Sequence, residues 1–420
     1  MSDLKILGKN ARLASKAISN LSAEKTNLLI KNIAKELVNQ SRQIIDQNKL
    51  DIEAAKSKGM SAAMIDRLVL NEERITQISN DALAVSKLDD VVGEIIDHKI
   101  MDNGLDVSRI RVPLGVIGVI YESRPNVTID IACLCIKSGN AVILRGGSES
   151  INSNLILAQI IQKVLSDMHL STEIVQLVQS IDRSLINEML RLDEYIDLMI
   201  PRGGQELVNM VADNASMPSI TGGVGVCHTY IDESANWNDA VEIVNNAKVQ
   251  RPYVCNAMDT VLIHSKIASD LLPEIANRLS ESNVEFRCDS RSFDILKNVK
   301  NAKTTLATDQ DWDTEFLDLI AGVKIVDSLD MALEHIDAHG TGHSEAIITN
   351  NSDSISRFRN EVDASAVMIN SSTRFNDGGQ LGLGAEVAIS TNKLHARGPM
   401  GLRELMSYKW VVQGDGQIRN

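Results

Sequence analysis

The chain has 420 residues and a formal net charge of −14, with 56 Asp and Glu against 42 Lys and Arg, 44% hydrophobic residues and only 3% aromatics. That length holds roughly two to three domains with a large buried core, and the hydrophobic share excludes a disordered chain. The acidic balance argues against a nucleic-acid partner, no apolar run reaches the ~18 residues of a membrane span, and five scattered cysteines without a CxxC pair argue against a disulfide framework or a zinc ribbon.

Met1-Ser2-Asp3-Leu4-Lys5 carries no apolar leader stretch, so a soluble cytoplasmic protein is expected. The first 90 or so residues read as amphipathic helices. Leu28, Leu29, Ile33 and Leu37 recur at helical spacing, and Ser22 is placed to cap that helix. Residues 92–111 change character: two β-rich runs flank Met101-Asp102-Asn103-Gly104. Asn-Gly between such runs predicts a hairpin, because both turn positions favour positive φ. Such a hairpin serves either an oligomer interface or its own domain.

From residue 112 strands and helices alternate. Strands are expected at 112–121, 140–147, 172–179 and 196–201, and helices at 127–139, 150–168 and 184–192, with Gly139 ending the first helix. A second alternating stretch runs from about 228 to 366. It includes strands at 259–265, 321–328 and 344–350 and helices at 266–281 and 330–340. The tail offers a short strand at 409–412. This βαβα succession implies parallel sheets, whose ligands bind beyond the carboxyl ends of the strands.

GxGxxG after a strand is absent, and so is GxxxxGK[ST]. Instead, strand–RGG–helix occurs twice, at Arg145-Gly146-Gly147-Ser148 and at Arg202-Gly203-Gly204. Glycines at a helix N-terminus let backbone N–H groups approach a phosphate, and an adjacent arginine adds a bidentate contact. Either turn alone reads more readily as a plain βα connection, and the two in one sheet bring the nucleotide reading level with it. Of the cysteines, Cys133 and Cys135 fall in an apolar helix and read as buried thiols. Cys288, among charges, is expected to be exposed. Cys227 adjoins His228, but sequence neighbours rarely face each other as a catalytic pair. Cys255 follows Pro252 in Arg251-Pro252-Tyr253-Val254-Cys255-Asn256, a segment whose N–H groups suit a thiolate and a developing oxyanion. The eight histidines show no metal-binding spacing, so no metal is expected.

Several segments together are similar to one family. They are RVPLGVIGVIYESRPNVTIDIACLCIKSGNAVILRGG (111–147), IPRGG (200–204), ITGGVGVCH (220–228), RPYVCNAMDTVLIH (251–264) and NSSTRFNDGGQLGLGAEVAISTNKLHARGPMGLREL (370–405). In order and over essentially the whole chain, they resemble the γ-glutamyl phosphate reductases of the aldehyde dehydrogenase superfamily. The resemblance implies an aldehyde dehydrogenase-like α/β fold with a Rossmann-like cofactor domain, an α/β catalytic domain and an oligomerisation hairpin and tail. The implied boundaries are 1–228 for the cofactor domain with 92–111 inserted, 229–366 for the catalytic domain, 367–400 returning to the cofactor domain, and 401–420 for the tail.

It further implies NADPH-dependent reduction of L-glutamyl 5-phosphate to L-glutamate 5-semialdehyde, as in proline biosynthesis, through a thioester on Cys255. Arg145, Gly146, Ser148, Arg202, Gly203, Gly204 and Glu315 are the implied cofactor contacts, with Arg145 at the ribose and 2′-phosphate and Glu315 at the nicotinamide ribose. Arg124, Ser371, Ser372 and Arg374 are candidate substrate contacts, and Asn126 is a candidate oxyanion donor. The resemblance also implies a homo-oligomer. The lability of an acyl phosphate makes handover from glutamate kinase chemically attractive.

One departure is informative. Aldehyde oxidisers of the superfamily carry a water-activating glutamate where this chain has Ile220-Thr221-Gly222-Gly223. An enzyme reducing an acyl phosphate must keep water out, so losing that base fits the reductive direction. The alternative is another member of the superfamily that oxidises or acylates a small aldehyde. The charge is also unevenly spread: residues 231–350 hold 21 acidic and 10 basic residues, whereas 107–150 hold three acidic and five basic. The motifs assigned to anions are therefore locally neutral or positive.

Overall fold

The computed structural model describes residues 3–419 apart from 221 and 223. The chain forms two compact units, Met1–Thr221 with Gly382–Ala388 and Met400–Asn420, and Gly222–Leu381 with Ile389–Pro399. Of residues 367–400, expected with the first unit, 367–381 and 389–399 cluster with the second.

The first unit opens with five helices, Asp3–Ile18, Ala23–Asn39, Ser41–Ser57, Ala62–Leu68 and Glu72–Val85. The Ser22 side chain accepts from Lys25 N–H and caps the second, satisfying one of the donors a helix start leaves open. Leu29, Ile33 and Leu37 form its buried face, but Leu28 is 50% exposed; Ile30 and Ala34 complete the stripe instead. The unit's parallel sheet has the order Val175–Leu177, Ala141–Gly146, Val116–Tyr121, Leu198–Arg202. The strand expected over 112–121 is two strands, because Gly115 at φ +129° turns the chain between Asp106–Pro113 and Val116–Tyr121. Gly139, at φ +75°, follows the helix Val127–Lys137 as expected.

The hairpin pairs Ile95–Ile100 with Asp106–Pro113. Its connection is not a two-residue turn with both centres at positive φ. Gly104 N–H donates to Met101 and Met101 N–H to Leu105, and only Gly104 has positive φ. The tail strand is longer than expected, Met406–Gln413, and adds to Asp106–Pro113 as a third antiparallel strand. The Glu94 carboxylate fastens this sheet by accepting from Arg111 at 2.8 Å and Arg403 at 2.9 Å.

The second unit is a seven-stranded, wholly parallel sheet in the order Lys303–Leu306, Glu285–Cys288, Ile320–Val326, Thr260–His264, His228–Ile231, Ser344–Ile348, Ala366–Ile369. Its central strands are buried throughout, as parallel strands covered on both faces must be. Cys288 is buried rather than exposed, because period-two alternation turns it, with Phe286, into the core. No described helix is long and apolar enough to cross a membrane.

Candidate active site

In the second unit, the helix Trp237–Val249 runs into a turn-rich loop that ends at the strand Thr260–His264. Cys255 sits on this loop and is only partly buried, whereas the other four cysteines are buried. The loop is held from both sides. Asn256 donates its amide to the Asn376 carbonyl at 2.9 Å, and the Thr373 hydroxyl donates to the Asn256 carbonyl at 2.7 Å. The Cys255 carbonyl accepts from the Cys227 thiol at 3.2 Å. Gly225 packs against that same carbonyl, and a Cβ there would overlap it. A side chain at 225 would thus displace the Cys255 peptide.

Cys227 does not pair with His228. Burial pushes the Cys227 thiol well up, and His228 donates its backbone N–H to buried Glu345 and contacts the same carboxylate through Nδ1 at 3.0 Å. His228 opens the strand His228–Ile231 and Cys227 lies just before it, its thiol turned to the Cys255 carbonyl rather than to the imidazole.

Glu315 accepts from the Gly225 N–H at 3.0 Å. Burial raises its carboxyl to about 7, with the Gly225 hydrogen bond opposing and Asp259 adding to the rise. Of the substrate candidates here, Ser372 is buried and accepts from Arg374 N–H, so it starts a short turn. Arg374 donates to the Gln250 side chain at 2.9 Å, beside the cysteine loop, and Ser371 is partly buried.

In the first unit, a cavity of about 590 Å³ lies beyond the carboxyl ends of the strands Val116–Tyr121 and Ala141–Gly146. Arg145, Ser148, Glu122, Glu149 and Arg183 are in its wall. Arg145 is 7% exposed, and its Nε has no hydrogen-bond partner among the described residues. Burial draws its pKa down, Glu149 opposes that, and Arg183 adds to it. Two of the cavity's carboxylates are already engaged. Glu149 accepts from the Ser123 N–H and hydroxyl, at 2.6 and 2.9 Å. Glu122 accepts from Gly204 N–H at 3.0 Å.

The two RGG turns therefore differ. In the first, Gly146 leaves room for the Asn154 amide, and Ser148 is exposed at the cavity. In the second, the Glu122 carboxylate lies against Gly203 and takes the Gly204 N–H, while the Arg202 carbonyl accepts from Glu122 N–H. A carboxylate of the chain thus stands where an anion was expected. Asn126 precedes the helix Val127–Lys137 and donates its amide to Asp130 at 2.7 Å. Arg124 is exposed in the same turn. Of the position of the missing water-activating glutamate, Thr221 and Gly223 lie outside the described residues.

Sequence reasoning missed Glu122, Glu149 and Arg183 around Arg145, and the buried Lys248 and Asp259 behind Cys255. Glu149 had a signal, an acid four residues after Arg145 at the start of a helix. Lys248 had one also, a lysine beside the apolar Ala240, Val244 and Ala247 face.

A partly buried cysteine on a loop beside one parallel sheet, and a cavity at the strand ends of another, are the features the two units present. The chain belongs to the aldehyde dehydrogenase family, whose profile matches residues 2–308. Within that family it groups with the γ-glutamyl phosphate reductases. The Dehalococcoides mccartyi γ-glutamyl phosphate reductase is 53% identical over 409 residues, covering 97% of this chain and 96% of that one. The Clostridium tetani protein of the same name is 48% identical over 417 residues, covering 98% and 97%. The crystal structure of γ-glutamyl phosphate reductase from Thermotoga maritima superposes with a TM-score of 0.97 at 44% identity, covering all of both chains.

Proposed function

We propose that the chain reduces L-glutamyl 5-phosphate to L-glutamate 5-semialdehyde and phosphate, with NADPH as reductant and Cys255 as nucleophile. The observation that carries this reading is the placement of Cys255, partly exposed on a loop whose peptides are fixed on both sides. A fixed nucleophile meets its electrophile without first being ordered, which is a large part of what an enzyme supplies.

The Cys255 thiolate would attack the acyl carbon. Its sulfur forms the new bond, the carbonyl π pair moves onto oxygen, and its return expels phosphate to leave a thioester. The Cys255 N–H and the Asn126 amide are the donors proposed for the oxyanion, each such donor being worth about 3–4 kcal/mol. Arg124, Arg374, Ser371 and Ser372 are the groups proposed for the substrate's phosphate and α-carboxylate. The Ser372 hydroxyl already accepts from Arg374 N–H, so its remaining capacity is to donate.

The cofactor the family implies suits the first unit. A cavity of about 590 Å³ with a buried guanidinium whose Nε has no partner among the described residues fits an anionic nucleotide. Arg145 would meet its 2′-phosphate, with Gly146 and Ser148 along the same turn. The second turn, Arg202, Gly203 and Gly204, would act from behind Glu122, and Glu315 would hold the nicotinamide ribose. When bound, NADPH supplies the hydride that takes the thioester to the aldehyde level. Self-association is part of this reading, and exposed Ile100, Trp410 and Val412 on the three-stranded sheet support it.

The test is the reverse reaction, followed as absorbance at 340 nm with the semialdehyde and NADP⁺. Reduction of NADP⁺ is expected only when phosphate is added. Equal rates without phosphate would instead support a water-using aldehyde oxidiser.

A further inference from the structure

Lys248 is fully buried, its ammonium has no hydrogen-bond partner among the described residues, and it lies 3.7 Å from Asp259 Oδ1. Asp259 is 2% exposed. Its two oxygens hold two separate segments: Oδ1 accepts from Phe316 N–H at 3.0 Å, and Oδ2 from Cys227 N–H at 3.3 Å. Both segments lead to Cys255 and Glu315. Cys227 donates its thiol to the Cys255 carbonyl, and Phe316 follows Glu315, which in turn holds Gly225 against that carbonyl. The result is a closed ring of contacts with Asp259 as its junction.

We propose that Asp259, lying beside Lys248 and accepting from the Phe316 and Cys227 N–H groups, is a positioning residue that sets the places of Cys255 and Glu315 together. The inference rests on the reading of Cys255 as nucleophile. Only the ionised carboxylate accepts fully from both N–H groups, and protonation turns one oxygen into a donor. The charged and titratable groups facing Asp259 are Lys248, His228, Cys227 and Glu315, with Asp318 beyond Lys248. Burial raises Asp259 to about 6, and Lys248 is the main opposing influence. Removing the lysine charge therefore raises Asp259 further. The clamp then opens at neutral pH and closes again as pH rises past the new value.

The test is hydrogen exchange of peptides spanning 225–228 and 314–318, corrected for intrinsic rates, beside steady-state kinetics with glutamyl phosphate at pH 7 and 9. Lys248→Met is expected to exchange at least tenfold faster than wild type at pH 7 and to regain protection at pH 9. Its kcat should follow the same course while KM stays put. Lys248→Arg should be protected at both values, and Asp259→Asn at neither. Wild-type protection in Lys248→Met at pH 7, or equal loss at both pH values, would overturn the proposal. Should Lys248→Met not fold, wild-type protection in Asp259→Asn would do so. If the wild-type chain turned over no glutamyl phosphate, the exchange measurements would still judge the clamp, and the functional reading alone would fail.

Discussion

Replacing Cys255 by alanine is expected to lower reductase turnover by at least about 10⁴-fold while leaving the fold and cofactor binding intact, because removal of a covalent nucleophile leaves only binding and oxyanion stabilisation. The loop supports the expectation of an intact fold. Its anchors are the Asn256 side chain, the Asn256 carbonyl and the Cys255 carbonyl, none of which the substitution removes. Cys255 is also the partly exposed cysteine, so losing its sulfur leaves no buried cavity in the core. Turnover measured beside circular dichroism and a cofactor titration checks each part. Wild-type turnover in Cys255→Ala would remove the residue from the chemistry.

The second large effect is expected at Arg145. Its side chain is nearly buried and its Nε has no partner among the described residues, while the neighbouring carboxylates Glu122 and Glu149 are engaged by other donors. A guanidinium so placed has a strong demand for an anion. Hydrogen bonds to a charged group contribute about 1.5–3 kcal/mol each, and charge reversal adds repulsion to their loss. Arg145→Glu should therefore weaken NADPH binding roughly 100-fold or more. NADH, which lacks the 2′-phosphate, should change only severalfold. Fluorescence titration of both nucleotides measures the difference, and equal weakening of the two would detach Arg145 from the 2′-phosphate.

What the sequence made legible was local or periodic. The cap at Ser22, the C-terminal Gly139 and the parallel alternation follow from short-range rules, and the structure has them. Errors arose where a local signal competed with another. Gly115 breaks an apolar run that reads as one strand, and the charges around Cys288 mask a strand whose alternate positions are core. Asn-Gly marks the hairpin, but the loop closes through Met101 and Leu105.

The site divides in the same way. Cys255, Arg145 and Glu315 could be proposed from the chain alone, the last two through its family resemblance. Glu122 and Asp259 could not, because their partners are distant in sequence: Gly204 lies 82 residues from Glu122, and Phe316 lies 57 from Asp259. Those contacts depend on which strands are neighbours, and one apolar run does not encode that. The acidity of the chain, concentrated in residues 231–350, likewise says little about the anion-binding groups, whose disposition is local.

The most direct measurement of the central claim is intact-protein mass spectrometry after mixing the enzyme with glutamyl phosphate in the absence of NADPH, followed by peptide mapping. The thioester mechanism predicts a single glutamyl adduct on the peptide carrying Cys255, absent in Cys255→Ala and discharged on adding NADPH. An unmodified Cys255 in an enzyme that turns over, or an adduct on any other residue, would contradict it.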